Sequence, residues 1–172
     1  RPDASLEEAS VHKLELICQR LQLQPGMTLL EIGTGWGGLA LHAAQHYGVT
    51  VTTTTISREQ ARYARQQVAD AGLDDCITIL EKDYRELTGP YDRVVSVEMI
   101  EAVGAEFLPG YFDVLGKRLK PEGLLLIQAI TVPDQRFDYA LKQVDFIKRY
   151  IFPGGFLPSV SVMCDNLTRH TR

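Results

Sequence analysis

No run of about 18 consecutive apolar residues occurs in the chain, so a membrane-crossing helix is not expected. The opening stretch, RPDASLEEAS, lacks the apolar core of a secretory signal, and a cytoplasmic location is the expectation. Cysteine is scarce. Cys18, Cys76 and Cys164 are odd in number, far apart and outside any CxxC pair, which excludes a disulfide framework and leaves no metal site to expect; buried thiols in a reducing compartment are expected. Positive charge is not in excess either: 18 basic against 22 acidic side chains give −4, so nucleic acid is not an expected partner. Internal repeats and low-complexity tracts are absent as well. What is present is 172 residues, 45% of them apolar, enough for one continuous core and a single domain over 1–172. The chain starts without methionine and in mid-pattern, and it reads as a piece of a longer protein.

Apolar spacing alternates between helical and strand periods along the chain. Ser5 and Glu8 form a capping-box pattern ahead of a helix whose Leu14, Ile17, Cys18 and Leu21 share one face, closed by Pro25-Gly26. TLLEI (28–32) reads as a buried strand, followed by a glycine turn and a helix with Trp36, Leu39, Ala40, Ala43 and Tyr47 at helical spacing. VTVTTTT (49–55) is a β-branched second strand; Ser57 and Gln60 then cap a helix carrying Ala61, Ala64 and Val68 to a stop at Gly72. CITIL (76–80), RVVSV (93–97) and LLLIQAI (124–130) supply three more strands, with a helix around Leu108, Phe112, Leu115 and Leu119 between the last two. The fold class that follows is α/β, with a mostly parallel sheet covered by helices on both faces. The core is expected over about 1–131. Beyond it, one amphipathic helix should bury Val144, Ile147 and Ile151, and the turn-rich PGGFLPS (153–159) reads either as a lid with exposed aromatics or as a surface connection to a later strand.

EIGTGWGGLA (31–40) fits two templates. Gly33, Gly35 and Gly38 form the GxGxxG of a dinucleotide site; Glu31, Gly33, Gly35 and Gly37 form the E-x-G-x-G-x-G of S-adenosylmethionine (SAM) methyltransferases. Either way, a turn free of side chains lets backbone N–H groups approach a ligand, and the helix start favours negative charge. A dinucleotide site places an acid on the ribose about 20 residues later. Thr53, Thr54 and Thr55 stand there instead, which weakens the NAD reading.

LLEIGTGWGGLALHAAQHYGVTVTTTTISREQ, YDRVVSVEMIEAVG, LKPEGLLLIQAIT and DFIKRYIFPGGFLPS resemble, in order and over almost the whole chain, blocks of the cyclopropane-fatty-acyl-phospholipid synthase family, which includes the mycolic acid methyltransferases. The resemblance implies a Rossmann-like, class I SAM-dependent methyltransferase acting on the double bond of an unsaturated phospholipid acyl chain. It implies that Gly33, Thr34, Gly35 and Gly37 hold the methionine portion of the cofactor with Glu31 bracing the turn, that Thr55, Ser57 and Gln60 contact ribose and adenosine, and that Asp83 and Tyr84 lie on the adenine side. Packing is the alternative role for Tyr84, and helix capping for Gln60. The family's amino-terminal lipid-docking region, and a cysteine and a tyrosine of its site, would lie beyond the two ends of this sequence.

An alkene is a weak nucleophile, so a dry, well-positioned pocket is required. The carbocation that follows methylation could be stabilised by aromatic faces, for which Tyr91, Phe107, Tyr111, Phe137, Tyr139, Phe152 and Phe156 are available. Ring closure needs a base. The resemblance implies bicarbonate held by Glu101, by the side chain at Gln128 and by the backbone at Ile130. Glu98 is the alternative carboxylate for facing the cofactor. Ala102 stands where the family has histidine after its glutamate, and Gln128 replaces a strand histidine; glutamine can donate to an anion but cannot take a proton near neutrality. His12, His42, His46 and His170 match no catalytic position and are expected at the surface. The expected product is a cyclopropane or a methyl- or methylene-branched chain, with transient contact at the inner face of a membrane and no prediction of oligomeric state. A small-molecule SAM methyltransferase, a non-catalytic SAM- or lipid-binding module and an NAD-dependent oxidoreductase are the competing readings.

Overall fold

The computed structural model describes residues 4–171. Strands β1 (Thr28–Ile32), β2 (Thr50–Thr54), β3 (Ile77–Leu80), β4 (Tyr91–Val97) and β5 (Leu119–Gln128) form one parallel sheet in the order β3-β2-β1-β4-β5. Helices α1 (Leu6–Arg20), α2 (Gly38–Tyr47), α3 (Arg58–Asp70), α4 (Leu108–Arg118), α5 (Phe137–Lys142) and α6 (Val160–His170) complete it. Strand alternation sorts the core into two layers. Leu29, Val51, Ile77 and Val95 pack with α1, α2 and α3, while Leu30, Ile32 and Val94 pack with α4, Phe156 and α6. The α/β class with a Rossmann-like parallel sheet is therefore the observed one.

Local chemistry sets the helix starts. Ser5 and Glu8 form the reciprocal capping box of α1, and the Ser57 hydroxyl accepts the Gln60 N–H at the start of α3. Glu15 clasps α1 to α2 by accepting from the Tyr47 hydroxyl at 2.6 Å and lying 3.1 Å from His42 Nε2. His42 is thus buried rather than at the surface, because its face of α2 is the one that meets α1. Cys18 is buried, its thiol pushed up to about 12 by burial, but Cys164 on α6 is exposed, against the expectation of buried thiols. Trp36 precedes α2 and lies at the surface, edge-on to Tyr63 with centroids 5.4 Å apart.

The largest departures follow β5, which begins at Leu119, earlier than expected, and ends at Gln128. The helix expected to bury Val144, Ile147 and Ile151 is broken into α5 and a π-helical turn, Ile147–Ile151, and all three side chains are exposed. Two features break it: Gln143 turns extended after α5, and Asp145 Oδ1 accepts the Lys148 N–H to start a new turn. PGGFLPS leads into α6, and within it Phe156 is buried. Val162, Met163 and Leu167 of α6 pack on the same core layer, so the core extends beyond residue 131.

Candidate active site

In a parallel sheet all carboxyl ends lie along one edge, and the crevice opens where strand order reverses. Here that reversal falls between β1 and β4. All the candidate residues follow the carboxyl ends of the strands or lie in the last turns of them: Glu31 to Gly37 at β1, Thr55 to Gln60 at β2, Asp83 and Tyr84 after β3, Glu98 and Glu101 after β4, Gln128 and Ile130 at β5. The fold thus brings residues nearly 100 positions apart to one edge.

The loop after β1 is built for close approach. Gly33, Gly35 and Gly37 all have positive φ (100°, 51° and 90°), a region that side chains make costly by about 1–2 kcal/mol. A Cβ at Gly37 would also stand 3.1 Å from the Ala64 Cβ. Gly33 and Thr34 donate their N–H groups to Thr54 O at 3.1 and 2.9 Å, which fixes the loop to β2. The N–H groups of Gly35, Trp36, Gly38 and Leu39 form no backbone hydrogen bond among the described residues, and they present a row of donors at the start of α2.

Glu31 braces this loop from below. Thr53 lies beside it in register; its hydroxyl donates to Glu31 Oε2 at 2.7 Å and lies 2.8 Å from Thr34 Oγ1, which is left to donate to it. Burial pushes the Glu31 carboxyl up to about 8, opposed by the Thr53 hydrogen bond. Thr53 was not among the expected residues, although its register opposite Glu31 follows once β1 and β2 are paired.

At the end of β2, Thr55 Oγ1 donates to Gln60 Oε1 at 2.8 Å and accepts the Ser57 N–H at 3.1 Å. Gln60 therefore has its oxygen engaged, while its amide nitrogen has no hydrogen bond among the described residues. Ile56, between them, is 82% exposed, an apolar side chain held out at the strand end. It is a second residue the sequence reading passed over. Asp83 caps the short turn after β3 and grips Arg85 at 2.8 and 2.7 Å, which holds its carboxyl below the usual range. Tyr84 packs edge-on against the buried Tyr111 with centroids 5.5 Å apart, the packing alternative.

The two carboxylates after β4 differ. Glu98 is a non-glycine residue at φ 50°; its N–H donates to Gln128 O at 2.8 Å, and its Oε1 accepts from Gln128 Nε2 at 2.6 Å and Lys13 Nζ at 3.2 Å. Such a conformation costs of order 1 kcal/mol and persists because three hydrogen bonds, two to Gln128 and one to Lys13, hold it. Lys13, on α1, carried no sequence signal because its partner, Glu98, lies 85 residues away. Glu101 Oε1 accepts the Ile130 N–H at 2.6 Å, and its backbone oxygen accepts the Phe156 N–H at 3.0 Å. Its Oε2 is buried with no hydrogen-bond partner among the described residues. Leaving a buried acceptor unmet costs of order 1–3 kcal/mol, so this oxygen is set aside for a donor. Of the donors expected to hold an anion, the N–H of Ile130 is taken by Glu101 and one of the two amide N–H groups of Gln128 by Glu98. Of the seven rings considered, Tyr111 and Phe156 are core residues, and Tyr111 spends its hydroxyl on Ser96 Oγ at 2.7 Å.

A sequence profile described as mycolic acid cyclopropane synthetase matches residues 1–171. The chain is 45% identical over 166 residues to the cyclopropane-fatty-acyl-phospholipid synthase of Escherichia coli K12, covering 96% of this chain and 41% of that protein. It is 44% identical over 166 residues to the tuberculostearic acid methyltransferase UfaA1 of Mycobacterium tuberculosis, with 96% and 39% covered. The chain thus spans about two fifths of the length of these curated relatives. Among solved structures, mycolic acid cyclopropane synthase CmaA1 complexed with SAH and CTAB superposes with a TM-score of 0.89 at 32% identity, covering 99% of this chain and 63% of that one. The cyclopropane synthase MmaA2 of Mycobacterium tuberculosis gives 0.88 at 30%, with the same coverage. With its glycine loop, its parallel sheet and its carboxylates at the β1/β4 reversal, this chain belongs to the mycolic acid cyclopropane synthetase family.

Proposed function

We propose that the chain is the catalytic portion of a SAM-dependent C-methyltransferase that modifies the double bond of unsaturated phospholipid acyl chains. The observation that carries the reading is the loop after β1, with three left-handed glycines, free N–H donors and a buried carboxyl beneath, in a chain 45% identical to a cyclopropane-fatty-acyl-phospholipid synthase. SAM fits the residues present: its carboxylate suits the unpaired donors of Gly35, Trp36 and Gly38, its ribose suits the free amide of Gln60, and its adenine suits the bare face of Ile56. When bound, it supplies an electrophilic methyl group on a sulfonium.

The remaining roles belong to the protein. Glu31, Thr53 and Thr34 hold the loop rigid, so binding costs little ordering. Ile130 orients Glu101 through Oε1 and leaves Oε2 as the site that accepts a proton from the substrate. The residues here suit bicarbonate only in part, because the Ile130 N–H is engaged by Glu101 and the Gln128 amide, with one N–H given to Glu98, keeps its second for an anion. No step is therefore routed through it. The deciding experiment is mass spectrometry of phospholipids after expression of the full-length protein: unsaturated chains should gain one carbon, as CH2 for a cyclopropane or methylene product. Unaltered lipids with an intact, SAM-binding protein would refute the proposed substrate.

A further inference from the structure

Thr53, Thr54 and Thr55 close an interior strand of the sheet and are all buried, where valine or isoleucine would pack equally well and leave no hydroxyl to satisfy. Their hydroxyls bond to three different segments along the cofactor edge. Thr53 reaches Glu31 and Thr34 at the glycine loop, Thr54 reaches the loop after β3, and Thr55 reaches Gln60 in the first turn of α3. The end of β2 is thus a hub on which the walls of the candidate site are hung. Two of these ties serve the residues discussed above; the one made by Thr54 is left over.

Side chains alternate across a strand, so Thr53 and Thr54 serve opposite faces of the sheet. Thr54 stands in register with Ile32 and Leu80, which belong to the core layer beneath α4. Its hydroxyl donates to Lys82 O at 2.6 Å, with Leu80 O at 3.3 Å. The Lys82 carbonyl accepts no backbone N–H among the described residues, so this bond is its anchor. The turn that follows closes on itself: Asp83 Oδ1 accepts the Arg85 N–H at 2.9 Å, Asp83 O the Glu86 N–H at 3.0 Å and Tyr84 O the Leu87 N–H at 3.3 Å. The backbone oxygen of Thr54, meanwhile, accepts the N–H groups of Gly33 and Thr34. One residue therefore holds the glycine loop by its carbonyl and the loop after β3 by its hydroxyl. We infer that Thr54 is a positioning residue for the nucleoside side of the cofactor pocket, its hydroxyl fixing the turn at Asp83 and Tyr84 where adenosine would lie, while Thr53, on the other face, serves the amino-acid side. The ligand in this inference rests on the methyltransferase reading above; the anchoring is measured without any ligand.

The test compares Thr54→Val, Thr54→Ser and Thr53→Val in the full-length protein by calorimetric titration with S-adenosylhomocysteine and with methylthioadenosine, which lacks the amino-acid end. Loss of one such hydrogen bond corresponds to about three- to tenfold in affinity. Thr54→Val should weaken both ligands by the same factor, Thr54→Ser should restore both, and Thr53→Val should weaken S-adenosylhomocysteine alone. Thr54→Ala, which removes the hydroxyl without setting a methyl group against the Lys82 oxygen, should follow Thr54→Val, and thermal melts verify that each variant is folded. In the ligand-free proteins, hydrogen exchange of the Arg85, Glu86 and Leu87 amides should quicken about threefold or more in Thr54→Val and Thr54→Ala and stay unchanged in Thr53→Val. Unchanged affinity for methylthioadenosine, or unchanged exchange, in the folded variants lacking the Thr54 hydroxyl would overturn the inference, as would an equal loss of methylthioadenosine affinity in Thr53→Val. A wild-type protein that binds neither ligand would refute the methyltransferase reading, and the nucleoside role with it.

Discussion

Residues 31–60 and residues 134–158 stand at the same edge of the sheet and are built on opposite principles. In the first, side chains fix the backbone locally and leave a row of N–H donors free: Thr53 meets Glu31 and Thr34, Thr55 meets Gln60, and Thr54 O holds two N–H groups of the glycine loop. In the second, the backbone is pinned at Phe156 and Lys148 while the apolar side chains face outward. A small, constant ligand suits a preorganised cradle.

Substitutions can break this contrast at either end. The largest expected effect is on turnover: Glu101→Gln should reduce kcat by about 100-fold or more, by removing the proton acceptor, while the SAM affinity measured by calorimetry changes little. Unchanged turnover would take Glu101 out of the reaction. The next is on stability against pH. Because Glu31 has a raised value of about 8, the folded state binds its proton more tightly than the unfolded chain does. The penalty for burying its charge is therefore absent at acid pH and grows as pH rises from about 4.5 to about 8, by no more than about 5 kcal/mol. Thermal melts of the ligand-free protein should show a fall in Tm across that window that Glu31→Gln removes.

Gly37→Ala should cost about 2 kcal/mol, from its positive φ and the Ala64 contact, against about 1 for Gly35→Ala, where a Cβ meets nothing within 4 Å. Urea denaturation of the pair resolves the difference. The smallest effect belongs to the outer segment: Phe146→Ser should change stability by less than about 0.5 kcal/mol, because the ring is exposed. A loss of several kcal/mol in denaturation would show that the segment is packed against something and would erase the contrast.

The same division explains what could be read in advance. TLLEI, the three glycines and the Ser57 cap are local signals, and β1, the left-handed turn and α3 sit where those signals place them. Clustering of the candidate residues followed from the parallel sheet, since each motif adjoins a strand end. Where tertiary placement or a distant partner decides, the signal is missing from the local sequence. His42 is buried by α1, Trp36 is left outside because α2 begins after it, and Glu98 depends on Lys13 and Gln128 across the sheet. The helix expected around Val144, Ile147 and Ile151 failed for another reason: apolar residues at helical spacing there mimic a buried face, yet they stay exposed among the described residues.

The cradle at β1 is the claim on which the rest depends, and calorimetric titration of the protein and its Gly35→Ala and Gln60→Ala variants with SAM, its demethylated product and NAD tests it most directly. The account predicts that SAM and its product bind, that both substitutions weaken them by about tenfold or more, and that NAD does not bind. Tighter binding of NAD, or SAM affinity indifferent to both substitutions, would contradict it.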